Sequence, residues 1–233
     1  MKRFIIFLLL IFFSVTFAFA EFSAGLFAGG IFPLGSQFPY YKQKSIDSYI
    51  AAGNPVKTKF YSGSDVTVFF RYGLPVENPY ISPLGIQTEV SFFTKNGLMY
   101  RIDFPDETDE DKKVRSESHI YSSLEWSLLA SYDYNFGPFS LNALAGLNMS
   151  FPLKIHYSSD ETERTGQNVT KKTSSPLVFG AAFGLSAFFN INRHNAVSFD
   201  LRYLLDTMTM NVNDVAIILR RALSVSAGYR YKF

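Results

Sequence analysis

Residues Phe139 to Phe151 alternate with a period of two, and the two faces differ in kind. The odd positions are Phe139, Leu141, Ala143, Ala145, Leu147, Met149 and Phe151, all apolar. The even positions are Ser140, Asn142, Leu144, Gly146, Asn148 and Ser150, small or polar except for Leu144. A helix, with its period of 3.6, cannot keep this pattern on one face. A strand turns successive side chains to opposite sides. The segment is therefore predicted to be a strand with one apolar and one polar face.

Seven more segments read the same way. Phe22, Ala24, Leu26 and Ala28 oppose Ser23, Gly25, Phe27 and Gly29. Val66, Val68, Phe70, Tyr72 and Leu74 oppose Asp65, Thr67, Phe69, Arg71 and Gly73. Ile86, Val90 and Phe92 oppose Gln87, Glu89 and Ser91. Alternation also runs through Ile120 to Tyr132, Leu177 to Phe189, Val197 to Asp206 and Ala222 to Phe233. That makes eight strands, an even number. Each run holds roughly 9–13 residues, the reach of a tilted strand across a bilayer.

Sidedness then decides the environment. A soluble barrel or sandwich hides its apolar face and dresses the other with Lys and Glu. Here the other face holds Gly, Ser and Asn, with a few charges of both signs. The whole chain is 47% hydrophobic but only 18% charged, below the usual ~25%. An apolar outside and a small, polar inside describe a lipid-embedded barrel, because only helices and closed barrels satisfy the backbone in lipid. The expected fold is all-β: an eight-stranded antiparallel up-and-down transmembrane β-barrel with long extracellular loops and short periplasmic turns. A soluble lipocalin-like barrel is the alternative.

The connections alternate in length. Residues 33–63, 103–117 and 152–175 are long, and the second holds the acidic run Asp106 to Asp111. Asn135-Phe136-Gly137 and Asn190 to Asn195 are short, and Pro75 to Pro83 is intermediate. Strand phase carries on into the long connections. Val56, Thr58 and Phe60 share the parity of Val66. Leu98, Tyr100 and Ile102 share that of Phe92, and Leu153, Ile155 and Tyr157 that of Phe151. Either several strands continue above the bilayer, or the alternation there is accidental. Ile46, Tyr49 and Ile50 are spaced for one face of a helical turn within Ser45 to Ala52.

The beginning of the chain has a different character. Lys2 and Arg3 precede an unbroken apolar run, Phe4 to Phe13, and Ala18-Phe19-Ala20 supplies a small-x-small cleavage pattern. Residues 1–20 are read as a cleaved signal peptide, with an uncleaved anchor as the alternative, and 21–233 as the barrel. Lys2 and Arg3 are the only charges before Glu21, so the remainder carries 20 basic and 20 acidic residues. Without a basic excess, nucleic acid is not an expected partner. The absence of cysteine removes disulfides, zinc–thiolate sites and thiol chemistry.

The chain ends Val225-Ser226-Ala227-Gly228-Tyr229-Arg230-Tyr231-Lys232-Phe233. This end resembles the C-terminal signal of Gram-negative outer-membrane barrels, with Tyr229, Tyr231 and the terminal Phe233 as its aromatic positions. With the eight strands it makes the mature chain similar to the small OmpA/OmpX/OmpW-like outer-membrane proteins. The resemblance is one of architecture and brings no functional residue set. It implies export to the outer membrane of a diderm bacterium, and insertion by an assembly machinery that reads the last strand. It also implies outer-membrane lipid as a partner, and an extracellular ligand or host surface at the loops. Passage of small apolar solutes, as in the OmpW-like members, is a second implied function. Lipid A modification, as in enzymes of the PagP and PagL kinds, is a third.

Candidate site residues come from strand phase. Arg71, Glu89, Glu125, Asp200 and Arg202 fall on the inner face. A charge inside a narrow barrel must pair, because its desolvation is costly. Glu89 and Glu125 are expected to pair with Arg71 and Arg202 and to plug the lumen. Phe27, Phe69, Phe93, Leu144 and Phe188 are apolar residues of the inner face, able to line a pocket or simply to pack. His119 falls inward with Tyr121, Ser123 and Glu125, while Ser122 falls outward. A hydrolase needs His, Ser and an acid on one accessible surface. The three histidines show no metal-binding spacing, and the acidic run lacks the Gly and terminal Glu of a calcium loop. The expectation is therefore a non-enzymatic barrel without metal or cofactor.

Overall fold

Edge-to-edge pairing carries the chain around a closed ring. The computed structural model describes residues 21–34, 40–74, 83–104, 114–159, 169–171, 177–212 and 215–233. The expected signal peptide and the acidic run 106–111 lie outside them. The elements are β1 (Phe22–Pro33), α1 (Tyr40–Ala51), β2 (Val56–Tyr61), β3 (Gly63–Gly73), β4 (Leu84–Asp103) and β5 (Val114–Phe136). They continue with β6 (Phe139–Ser159), β7 (Val169–Lys171), β8 (Val178–Asn190), β9 (Asn195–Asp206), β10 (Met210–Val212), β11 (Val215–Ile218) and β12 (Arg221–Lys232). The barrel order is β4-β3-β1-β12-β9-β8-β6-β5, and β4 pairs with β5 to close it. Every pairing in the ring is antiparallel. The eight barrel strands are those the alternation predicts.

Closure removes the sheet edges that would otherwise carry unpaired backbone groups. The start of β1 and the end of β12 meet at one rim, where the Phe233 amide donates to the Phe22 carbonyl at 2.9 Å. Two turns sit at the same rim. Gly137-Pro138 joins β5 to β6, and Gly137 takes φ +65°, a conformation that two-residue hairpins use and glycine adopts without strain. The β8–β9 turn is fastened by Asn192, whose side-chain oxygen accepts from the His194 and Asn195 amides at 2.9 and 2.8 Å.

The faces are distributed as the period demands. Phe70, Leu147 and Phe199 are 59%, 68% and 56% exposed on the outside. Phe69, Asn148 and Asp200, one step along, are buried inside. The outside is a continuous apolar wall, and the inside holds most of the buried polar groups.

At the opposite rim β4, β5 and β6 run on for 20, 23 and 21 residues in all. β2 adds to β4, and β7 to β6. Two bulges interrupt the pairing there. Thr94 and Lys95 of β4 stand against the single Ser122 of β5, and Lys95 takes φ 55°. On β6, Leu153 is the extra residue, because Pro152 pairs with Ser123 and Lys154 with Ser122. Each bulge reverses the phase of the residues beyond it. Ile102 therefore does not keep the parity of Phe92: Phe92 is exposed and Ile102 is buried. On β6 the backbone register beyond the bulge sets Ile155 opposite Tyr121 and Tyr157 opposite His119.

The helical turn expected at residues 45–52 is part of the twelve-residue helix α1. Ile46 is buried against Ile102, with Tyr49, Val56 and Phe104 packed around them. Ile50 does not join that face and is exposed. Beside this cluster Arg101 donates to Asp103 at 2.8 Å. That hydrogen bond, with Lys57 at 3.7 Å, holds the Asp103 carboxyl below its usual pKa range.

Candidate functional site

The lumen is the place where the chain concentrates chemistry. β4 and β9 bring Glu89, Asp200 and Arg202 to one level. Arg202 bridges Glu89 at 2.8 Å and Asp200 at 2.6 Å. Gln87 donates to Glu89 at 2.5 Å and Ser186 to Asp200 at 2.5 Å. Gly184 of β8 leaves the space that the Arg202 side chain fills, and a Cβ there would overlap the guanidinium.

Towards the loop end stands a second group. Arg220, in the short link before β12, is fully buried and pairs with Glu125 and with Asp206 at 2.7 Å. Glu125 also accepts from Ser123 and Asn148, each at 2.9 Å. Towards the terminal end is a third. Arg71 binds Asp133 at 2.8 Å and Ser131 at 3.0 Å. Arg230 lies over the Phe188 ring, 3.6 Å from its centroid. Asp65 completes the set: its carboxylate accepts from Ser224 at 2.6 Å and from Ser226 at 2.9 and 3.0 Å.

These contacts correct the expected pairing. Glu89 does take Arg202, but Glu125 takes Arg220 and Arg71 takes Asp133. Arg220 has no place in any alternating run, and strand phase passes over it. A charge count could have revealed it. The inward phases hold Asp65, Glu89, Glu125, Asp200 and Asp206 against Arg71, Arg202 and Arg230. Buried acids in excess demand another base.

The five apolar residues expected at one pocket fall into two layers. Phe27, Phe69 and Phe188 pack with Ala196, and Phe27 stacks on Phe69 at 4.8 Å. Gly25 gives that stack its room, since a Cβ there would lie 2.5 Å from the Phe69 ring. Phe93 and Leu144 belong instead to a layer with Ile31, Leu129, Ala182, Leu204 and Ala222. The space left among the central charges has a cavity volume of only about 10 Å³, room for about one water.

His119 is fully buried inside the upper barrel. Ser123, the inward serine of its strand, is also buried and spends its hydroxyl on Glu125. The two do not share an open surface with an acid. Among the described residues no three metal-binding side chains come together. The aromatic end of the chain faces outward: Tyr229, Tyr231 and Phe233 are all exposed, with the last two rings 5.1 Å apart.

No protein-family model matches the chain, and no curated protein matches it. Solved structures do. A major outer membrane protein from Thermus thermophilus is 17% identical with a TM-score of 0.53, over 92% of this chain and 99% of that one. The outer membrane protein OprG from Pseudomonas aeruginosa is 14% identical with a TM-score of 0.51, over 92% and 95%. At such identities the likeness is one of fold. The ring of eight antiparallel strands, apolar outside and packed with paired charges inside, is the fold of the small outer-membrane β-barrels.

Proposed function

We propose that the protein is a non-enzymatic outer-membrane barrel whose lumen is a sealed core and whose working surface is its loop end. In this reading residues 1–20 direct export and are removed, and residues 21–233 insert into the outer membrane of a diderm bacterium. Tyr229, Tyr231 and Phe233 present the last strand to the assembly machinery. Lipid covers the apolar wall. The sheet extended by β2 and β7, together with α1, offers contact to an extracellular ligand or host surface, and the sealed barrel contributes to envelope integrity.

The observation that carries the reading is the filled interior. Four arginines and their carboxylate, hydroxyl and aromatic partners occupy the lumen from rim to rim. An eight-stranded barrel is about wide enough for side chains alone. The Arg202–Glu89 level also separates the two apolar layers, so no continuous apolar path joins them. This favours a static plug over the passage of apolar solutes through the lumen. Buried His119 and the engaged Ser123 favour a binding and structural role over lipid modification.

The purified mature protein, reconstituted in planar bilayers, is expected to give no steady open conductance across the ordinary voltage range. A stable ohmic pore in every insertion would contradict the sealed lumen.

A further inference from the structure

Both bulges lie at one level, on either side of Ser122, and each redirects a lysine. Strict alternation from Phe93 would turn Lys95 into the lumen, and alternation from Pro152 would do the same to Lys154. The extra residues Thr94–Lys95 and Leu153 reverse this. Both lysines are exposed, and Lys95 accepts a left-handed backbone, uncommon for a residue other than glycine. Bulges that re-aim side chains are over-represented beside functional sites.

Both lysines line a cavity of about 380 Å³, together with Tyr61, Ser62, Ile120, Tyr121 and Ser122. Among the described residues neither makes an ion pair, whereas Lys57 and Arg101 nearby share Asp103. Directly below, on the same three strands, Phe92, Leu124 and Phe151 form the upper edge of the exposed apolar wall. The site thus joins two lysine ammonium groups and the hydroxyls of Ser62 and Ser122 to an apolar surface beneath them. That combination suits an anion attached to acyl chains.

We infer that this cavity holds the phosphorylated headgroup of an outer-leaflet lipid, its phosphate between Lys95 and Lys154 and its chains against Phe92, Leu124 and Phe151. The inference rests on the apolar wall facing lipid. Lysine ammonium groups are phosphate ligands as point charges, and the rim places them at headgroup height.

Native mass spectrometry of the full mature barrel in detergent tests it. The probes are bisphosphorylated lipid A, the same lipid with its phosphates removed, and inorganic phosphate. The phosphorylated lipid is expected to remain bound where the dephosphorylated one does not. The Lys95→Gln/Lys154→Gln double variant is expected to weaken binding roughly thirtyfold, from two basic groups near a membrane surface. Lys95→Arg/Lys154→Arg keeps the charge and is expected to keep the lipid. Each variant is checked for the heat-dependent gel shift of a folded barrel, so misfolding is seen separately. Equal binding of both lipids, or undiminished binding by the folded glutamine variant, would overturn the inference and leave the membrane reading intact. Displacement of the lipid by millimolar inorganic phosphate would mark a soluble-anion site and overturn the lipid assignment. If the unaltered protein shows no gel shift and does not enter bilayers, the membrane reading falls and this inference with it.

Discussion

Replacing Arg220 with alanine is expected to cost about 3–5 kcal/mol of folding free energy, the range found when one partner of a buried ion pair is removed. The side chain is fully buried between Glu125 and Asp206. Its loss leaves two carboxylates inside the barrel without their cation. Glu125 retains Ser123 and Asn148 as donors, while Asp206 loses its one side-chain partner among the described residues. Asp206 is therefore expected to account for more of the damage. Urea unfolding in lipid vesicles, followed by the gel shift, measures the effect. The triple variant Arg220→Met/Glu125→Gln/Asp206→Asn is expected to recover most of the loss, since it removes the charges together. If the single variant unfolds at the unaltered midpoint, Arg220 is not the stopper of the upper lumen.

A charge on the outer wall is expected to be nearly as damaging. Leu185 is 48% exposed and lies at mid-height on β8, opposite Leu201 and Ala143 on the neighbouring strands. In water, arginine at such a position would change stability by no more than about 0.5 kcal/mol. At the centre of a bilayer it costs about 2–4 kcal/mol. Leu185→Arg is expected to show the larger figure in refolding into vesicles. Ile50→Arg on α1, equally exposed but beyond the apolar wall, is expected to show the smaller one. Equal tolerance at both positions would mean that the wall does not meet lipid.

The eight barrel strands were legible because period-two alternation needs no knowledge of partners. Phe139 to Phe151 declares its two faces through its own residue order, and closure follows from the even count and apolar exterior. The bulges were not legible. An extra residue such as Leu153 leaves no mark in an alternating string, yet it shifts the register beyond it and leaves Lys154 exposed. The bulge at Thr94–Lys95 does the same on β4, so Ile102 turns inward to meet Ile46. The outward turn of Lys95 and Lys154 leaves no sequence signal for the same reason. Arg220 was hidden differently: it lies in a link, and only charge balance across distant strands calls for it. The ion pairs depend on tilt and stagger around the ring, which bring Arg202 to Glu89 across 113 positions of sequence. Strand phase says which side a residue faces, not what it meets there.

Trp126 is the single tryptophan of the chain. It stands on the outer face of β5, paired with Val90 and Met149 and anchored by an indole hydrogen bond to Thr88 at 2.9 Å. Its fluorescence therefore reports directly on what touches the apolar wall. In vesicles of lipids brominated along the acyl chain, strong quenching is expected, with aqueous iodide having little effect. Quenching by iodide with insensitivity to brominated chains would contradict the lipid-facing wall.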